Sequence, residues 1–250
     1  MRASCVVILL VLLAITRDVW ATSQSKDTPA PQNPPSMHVA DSGSFGIFLD
    51  GKRIGRETFR IEDGPDESLS TSEIKVDDGA TKVEQSSEMR MSHQGALRSY
   101  HWRSSVPTKE EDVIEPKDGL LLEHVVFADQ KKKDIPHILP ISTVILDDYV
   151  FSQREILVWR YLASSCVVQK GQGRACSRGT FGILVPRQHV GVSAMVEMTG
   201  RSATKIKGAD QELNELKIDM GGEVWLIWID DQFKVQKMAL PAQKVEIVRD

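Results

Sequence analysis

"FGIFLDGKRIGRETFRIED", residues 45–63, alternates apolar and charged residues on both sides of Asp50-Gly51. Period-two alternation marks a strand, because successive side chains leave opposite faces. Asp50-Gly51 suits a two-residue type I′ turn, in which both residues take positive φ. The stretch therefore reads as a hairpin. In a regular register Leu49 faces Lys52, Ile47 faces Ile54 and Gly46 faces Gly55. Its charged side is either a gripping surface or the wet face of a sheet.

The following segments decide between these. "DDGATKVEQSSEMRM", "ALRSYHWRSSV" and "GLLLEHVVFA" continue the alternation, with turns between them. Arg56, Arg60, Glu73, Lys75, Lys82, Glu84, Arg98 and Arg103 fall in phase over several strands. Charges spread in this way describe an antiparallel sheet with one solvated face. "GTFGILVP", "VGVSAMVEM", "ELNELKIDM", "EVWLIWID", "DQFKVQKMAL" and "KVEIVR" extend the β pattern to the C-terminal region. "VWLIWI", residues 224–229, is apolar on both faces, so this strand is covered on both sides. A helix can cover one face. The other needs a second layer, a curled sheet or a bound apolar molecule.

One segment has helical spacing. Val150, Phe151, Leu157, Val158, Tyr161 and Leu162 form a stripe that predicts a helix over 148–163, with Asp147 or Asp148 as N-cap. Arg154 lies inside that stripe. It either snorkels from the edge or meets a buried anion or ligand head group. The predicted fold is mainly β: a curved antiparallel sheet or half-barrel, β-clam-like, with one substantial amphipathic helix on its concave side. A single β-rich domain over 39–250 carries it.

The remaining features set the compartment. Arg2, the apolar run Val6 to Ile15 and Val19-Trp20-Ala21 have the layout of a signal peptide over 1–21. The run is too short for the ~20 residues of a permanent membrane span. Residues 22–38, rich in Pro, Ser and Gln, read as an extended or disordered arm. An exported, periplasmic or extracellular chain would retain Cys166 and Cys176, which bracket a glycine-containing reversal and are expected to form a disulfide. Two Cys without His at ligand spacing make a zinc site there a poor alternative. With 31 basic against 35 acidic residues, no broad positive charge exists to hold nucleic acid. Lys131-Lys132-Lys133 reads as a solvated loop.

Gly51, Lys52, Gly55 and Phe59, then Asp147 to Tyr161, then Trp228, Asp230, Lys237 and Pro241 make a wider pattern. In these residues, and loosely over 44–249, the chain resembles a broad group of exported bacterial β-rich proteins of unknown function. The resemblance implies a half-barrel or clam-shaped fold, similar in spirit to periplasmic lipoprotein carriers. It supplies no catalytic residues.

Motifs for chemistry are sparse. "ADSGSF", residues 40–45, looks like the Asp-Ser/Thr-Gly element of aspartic proteases, with Asp41 as the acid and Asp78 of "VDDGAT" as a conceivable partner. Such enzymes need two carboxylates sharing a proton. Ser193 in "GVSAM" lacks a nucleophile-elbow pattern. The six His show no H-x-H or H-E-x-x-H spacing, so neither a metal site nor a cofactor is expected. The aromatic residues give the positive lead. Trp102, Trp159, Trp225 and Trp228 either fasten the core with large side chains or, with Arg154, line an apolar pocket between sheet and helix. The predicted function is a non-catalytic exported binding or carrier protein for a lipid or other apolar molecule. The alternatives are a cell-envelope structural or adaptor protein with a protein partner, and an aspartic hydrolase using Asp41.

Overall fold

The computed structural model describes residues 37–169 and 173–250. The expected signal peptide, and all of the expected arm but its last two residues, lie outside this range. The N-terminal part is a run of strands: β1 (His38–Leu49), β2 (Lys52–Asp63), β3 (Glu67–Asp77), β4 (Lys82–Ser92), β5 (Leu97–Val106), β6 (Glu110–Lys117), β7 (Leu120–Val126) and β8 (Lys132–His137). The short β9 (Val144–Ile145), helix α1 (Ser152–Ser165) and a ribbon of β10 (Cys166–Gln169) and β11 (Gly173–Cys176) follow. The chain then forms β12 (Gly179–Val185), β13 (Val190–Ile206), β14 (Ala209–Met220), β15 (Glu223–Ile229), β16 (Val235–Leu240) and β17 (Val245–Arg249).

Among the described residues, fifteen strands form one sheet, ordered β8-β7-β6-β5-β4-β3-β2-β1-β17-β16-β15-β14-β13-β12-β9. It is two meanders joined where β1 pairs antiparallel with β17. Every neighbour is antiparallel except the two-residue β9, which runs parallel to β12. The sheet curves but does not close: β8 and β9 are its edges. The predicted curved sheet with one helix is therefore the observed architecture.

The first hairpin turns at Asp50 and Gly51, with φ of 51° and 76°. Leu49 faces Lys52 as expected. Phe48 still faces Arg53, but beyond it the register shifts, because a bulge between Ile47 and Phe48 leaves Ile54 without a partner. Ile47 faces Gly55, and Gly46 faces Arg56. A bulge increases local twist, and Gly55 fits because an added Cβ would lie 2.5 Å from the Lys75 carbonyl oxygen. The charged residues from Arg56 to Arg103 named above are all exposed, so that face is the wet side of the sheet. The three lysines do not form a simple loop: Lys132 and Lys133 open the edge strand β8.

The opposite face is the core. Phe45, Ile47, Phe59, Ile74, Tyr100, Ile227 and Ile247 enclose α1, whose Leu157, Val158 and Tyr161 are fully buried in the same cluster. Trp225 and Ile227 of β15 point into this core. Leu226 and Trp228 point outward and join Ile206, Leu213 and Ala239 in a second, smaller cluster. The curl of the long β13–β14 hairpin thus covers the outer face of 224–229.

Helix α1 begins four residues later than its stripe predicts, because Tyr149 takes a left-handed φ of 64°. Neither Asp147 nor Asp148 caps it, and no local side chain does. The cap comes from β2. Period two places Glu57 in phase with Phe59 and Ile61, hence inside. Glu57 accepts the Phe151 N–H at 2.9 Å, the Ser152 N–H at 3.2 Å, the Ser152 hydroxyl at 2.7 Å and the Ser72 hydroxyl at 2.6 Å. Orphan N–H groups of a helix start and a buried acid satisfy each other.

Glu57→Ala would strand two buried N–H groups and open a void, lowering unfolding stability by about 3–5 kcal/mol. Glu57→Gln keeps an acceptor and should lose less than half of that. Denaturant unfolding checks both; a loss below about 1 kcal/mol in the alanine variant would mean that other contacts hold the helix.

Candidate functional site

The five residues expected to line one pocket occupy different places. Trp102 is fully buried, donates its indole N–H to Gln85 Oε1 at 3.1 Å, and is covered by Arg187, whose guanidinium lies 3.8 Å from the ring centroid. Trp159 donates to the Phe233 carbonyl at 2.8 Å and borders a cleft of about 310 Å³ with Ile61, Met91 and Ile156. Trp228 belongs to the outer cluster and donates to the Ser202 hydroxyl. Only Arg154 and Trp225 come together.

Arg154 does not snorkel. It is 5% exposed, and its guanidinium stacks 4.2 Å from the Trp225 ring centroid and 5.5 Å from that of Phe151. Nε and Nη1 are buried without a hydrogen-bond partner. Leaving such donors unmet is costly. Burial lowers the Arg154 pKa, against the pull of Asp148, Glu223, Glu57 and Asp147. The side chain helps line a cleft of about 320 Å³ together with Phe151, Trp225, Leu240 and Val245. That volume lies at the small end of ligand sites. Asp148 and Glu223 also line it, so the cleft carries both signs of charge.

A second polar group lies where the curled sheet nearly meets itself. Glu123 of β7 shares a hydrogen bond with His137 of β8 at 2.5 Å and another with His189 at 2.6 Å. His189 ends the single-turn helix Pro186–Gln188 that links β12 to β13, so this contact bridges the two wings of the sheet. Asp112 of β6 is alongside, 2% exposed, with Oδ1 unpaired. Burial, followed by Glu123, pushes Asp112 up to about 8, and burial pushes Glu123 up to about 7. Burial, with His189 adding to it, holds His137 below its ordinary range. Asp112, Glu123 and His189 each offer a ligand atom within 4.8 Å of the others. These three residues come from separate elements that no spacing rule connects, so His spacing in the sequence does not bring them together.

The structure does not assemble the aspartic dyad. Burial works to raise Asp41, but Arg249 at 2.6 Å and Lys234 at 2.8 Å hold it low. Arg249 also reaches Glu155 of α1 at 3.0 Å, whose pKa burial raises. Asp78 sits in an exposed turn and accepts the Ala80 and Thr81 N–H groups. Glu57, Asp112 and Glu123 were legible only as acids in phase with buried apolar neighbours, such as Ile114 beside Asp112 and Leu121 and Val125 beside Glu123.

No protein-family model and no curated protein matches the chain. A solved structure does. It is a β-barrel-like protein of a domain of unknown function, DUF1849, from Brucella abortus. The TM-score is 0.51 at 9% identity, covering 84% of this chain and 94% of that one. The likeness is one of fold. The disulfide between Cys166 and Cys176 joins opposed residues of β10 and β11, and no described helix is long and apolar enough to cross a membrane. Both are compatible with an exported protein.

Asp147 yields a pH signature. Buried, and accepting the Tyr100 hydroxyl at 2.6 Å, it is pushed up to about 7 by burial. A carboxyl raised in the folded state binds a proton that the unfolded chain has released. Its contribution is fully present below about pH 4 and is lost as pH rises through 7. Asp147→Asn should therefore reduce the fall in stability between pH 5 and pH 8.5 by about 2–3 kcal/mol. Denaturant unfolding at the two pH values measures it; parallel losses in both proteins would contradict the assignment.

Proposed function

We propose that the protein is an exported, non-catalytic binding protein whose ligand is a small amphipathic molecule, seated in the Arg154 cleft. The observation that carries this reading is the buried guanidinium with two unmet donors at the cleft. An anionic group in the cleft would balance the buried guanidinium charge, and a charge-assisted interaction in a desolvated site is strong. Phe151, Trp225, Leu240 and Val245 supply an apolar wall for the rest of the molecule. Asp148 and Glu223 would repel a purely anionic ligand and favour one that also carries a cation. A zwitterionic head group on an apolar body fits both requirements. The signal-peptide pattern over 1–21 and the disulfide support export, with residues 39–250 as the single folded domain. The ion-paired state of Asp41 argues against the aspartic-hydrolase alternative.

The adaptor alternative would use an open sheet edge or the Pro-rich arm over 22–38, most of which lies outside the described residues. Strand β8 carries Lys132, Lys133 and Pro136 there, devices that discourage strand addition. At this edge they count against the adaptor reading.

Calorimetry with three amphiphiles of equal alkyl length, below their micelle thresholds, tests the proposal. The alkyl phosphocholine should bind one equivalent more tightly than the alkyl carboxylate, and the alkyl maltoside most weakly. Arg154→Met should weaken the phosphocholine at least about tenfold while leaving thermal stability unchanged or higher, because it replaces an unpaired buried charge. No binding by any of the three, or equal binding by Arg154→Met, would refute the reading.

A further inference from the structure

We propose that Asp112, Glu123 and His189 form a site for one divalent transition-metal ion, Zn²⁺ by donor chemistry, which clasps the two wings of the unclosed sheet. Three observations carry it. The donor atoms converge within 4.8 Å although they come from β6, from β7 and from the link between β12 and β13. Asp112 is buried with Oδ1 unpaired, and a cation would satisfy that oxygen. His137 holds Glu123 from behind at 2.5 Å, as outer partners of metal ligands do.

The donor set selects the ion. Ca²⁺ takes six to eight oxygens, and Mg²⁺ keeps several waters around an octahedron. One imidazole nitrogen with two carboxylates matches Zn²⁺ and its first-row neighbours. His189 leaves 34% of its side chain exposed, which provides an entry path and room for a water as fourth ligand. Arg187 and Lys133 are the opposing charges nearby. Arg187 is drawn aside, stacked on Trp102 and donating to Gln85 Oε1 at 3.3 Å.

In the metal-free protein the wings are bridged at this point by the Glu123–His189 hydrogen bond. Metal–ligand bonds would replace it with a firmer tie. The consequence is mechanical: metal binding would stabilise the folded sheet with its two wings bridged and raise the thermal midpoint with the logarithm of free metal. This site is separate from the Arg154 cleft, and either proposal can fail alone.

The test uses the purified full chain, stripped with chelator and titrated with ZnCl₂ or CoCl₂. One equivalent should bind, Co²⁺ should develop visible ligand-field absorption, and Zn²⁺ should raise the melting temperature. Asp112→Asn and His189→Gln should each abolish the one-equivalent step. His137→Gln should weaken it about 10–100-fold. His124→Gln, which removes an exposed imidazole paired with Asp134, should leave it intact. If Asp112→Asn does not fold, His189→Gln decides, since that ring is partly in solvent. Absence of a one-equivalent step in the wild type, or its survival in His189→Gln, overturns the proposal.

Discussion

The buried carboxylate of Glu57 is the constraint on which the molecule depends. A curved sheet with one apolar face must fill its concave side, and α1 fills it here. A helix placed inside a sheet brings unsatisfied N–H groups into a dry space. Asp147 is engaged with Tyr100 and cannot serve as a local cap. Glu57 answers from β2, 94 residues before Phe151. It also fixes the azimuth of the helix. Three residues beyond Phe151, Arg154 lies against Trp225 in the lining of the proposed binding cleft, with Nε and Nη1 unpaired.

The second constraint is the open seam. Fifteen strands curl without closing, so backbone hydrogen bonds do not join β8 to β9. Side chains bridge the two wings instead. Glu123 with His189, and Arg187 with Trp102 and Gln85, reach across the gap. A seam held by titratable side chains is more adjustable than one held by a hydrogen-bond ladder. Its buried acids keep their protons unless a cation accompanies them. The proposed ligand cleft and metal site therefore have one origin: polar groups that an apolar interior forced into close company.

Much of this frame was legible in the sequence, and the reasons for the misses are physical. Alternation from Phe45 to Arg103 identified the wet face, and Asp50-Gly51 identified the turn, because both signals are local. The bulge at Ile47 shifted the pairing by one residue, and alternation alone does not record which strand holds an extra residue. Helical spacing found α1 but not its start, since Tyr149 adopts a left-handed conformation and the cap is a β-strand acid, not a neighbour in sequence. The aromatic residues were located on the right elements. Their faces were not resolved, because Trp225 and Trp228 both belong to an apolar run whose outer side is covered by Ile206 and Leu213. The seam cluster was hidden for a different reason. Glu123 and His189 are 66 residues apart, and only the curl of the sheet makes them neighbours.

Amide hydrogen exchange comparing wild type with Glu57→Gln tests the central claim most directly. If a β2 carboxylate anchors the helix, amides of 151–158 exchange faster in the variant, while those of β1 and β3 keep their protection. Unchanged protection across α1, or uniform loosening of the whole sheet, would contradict it.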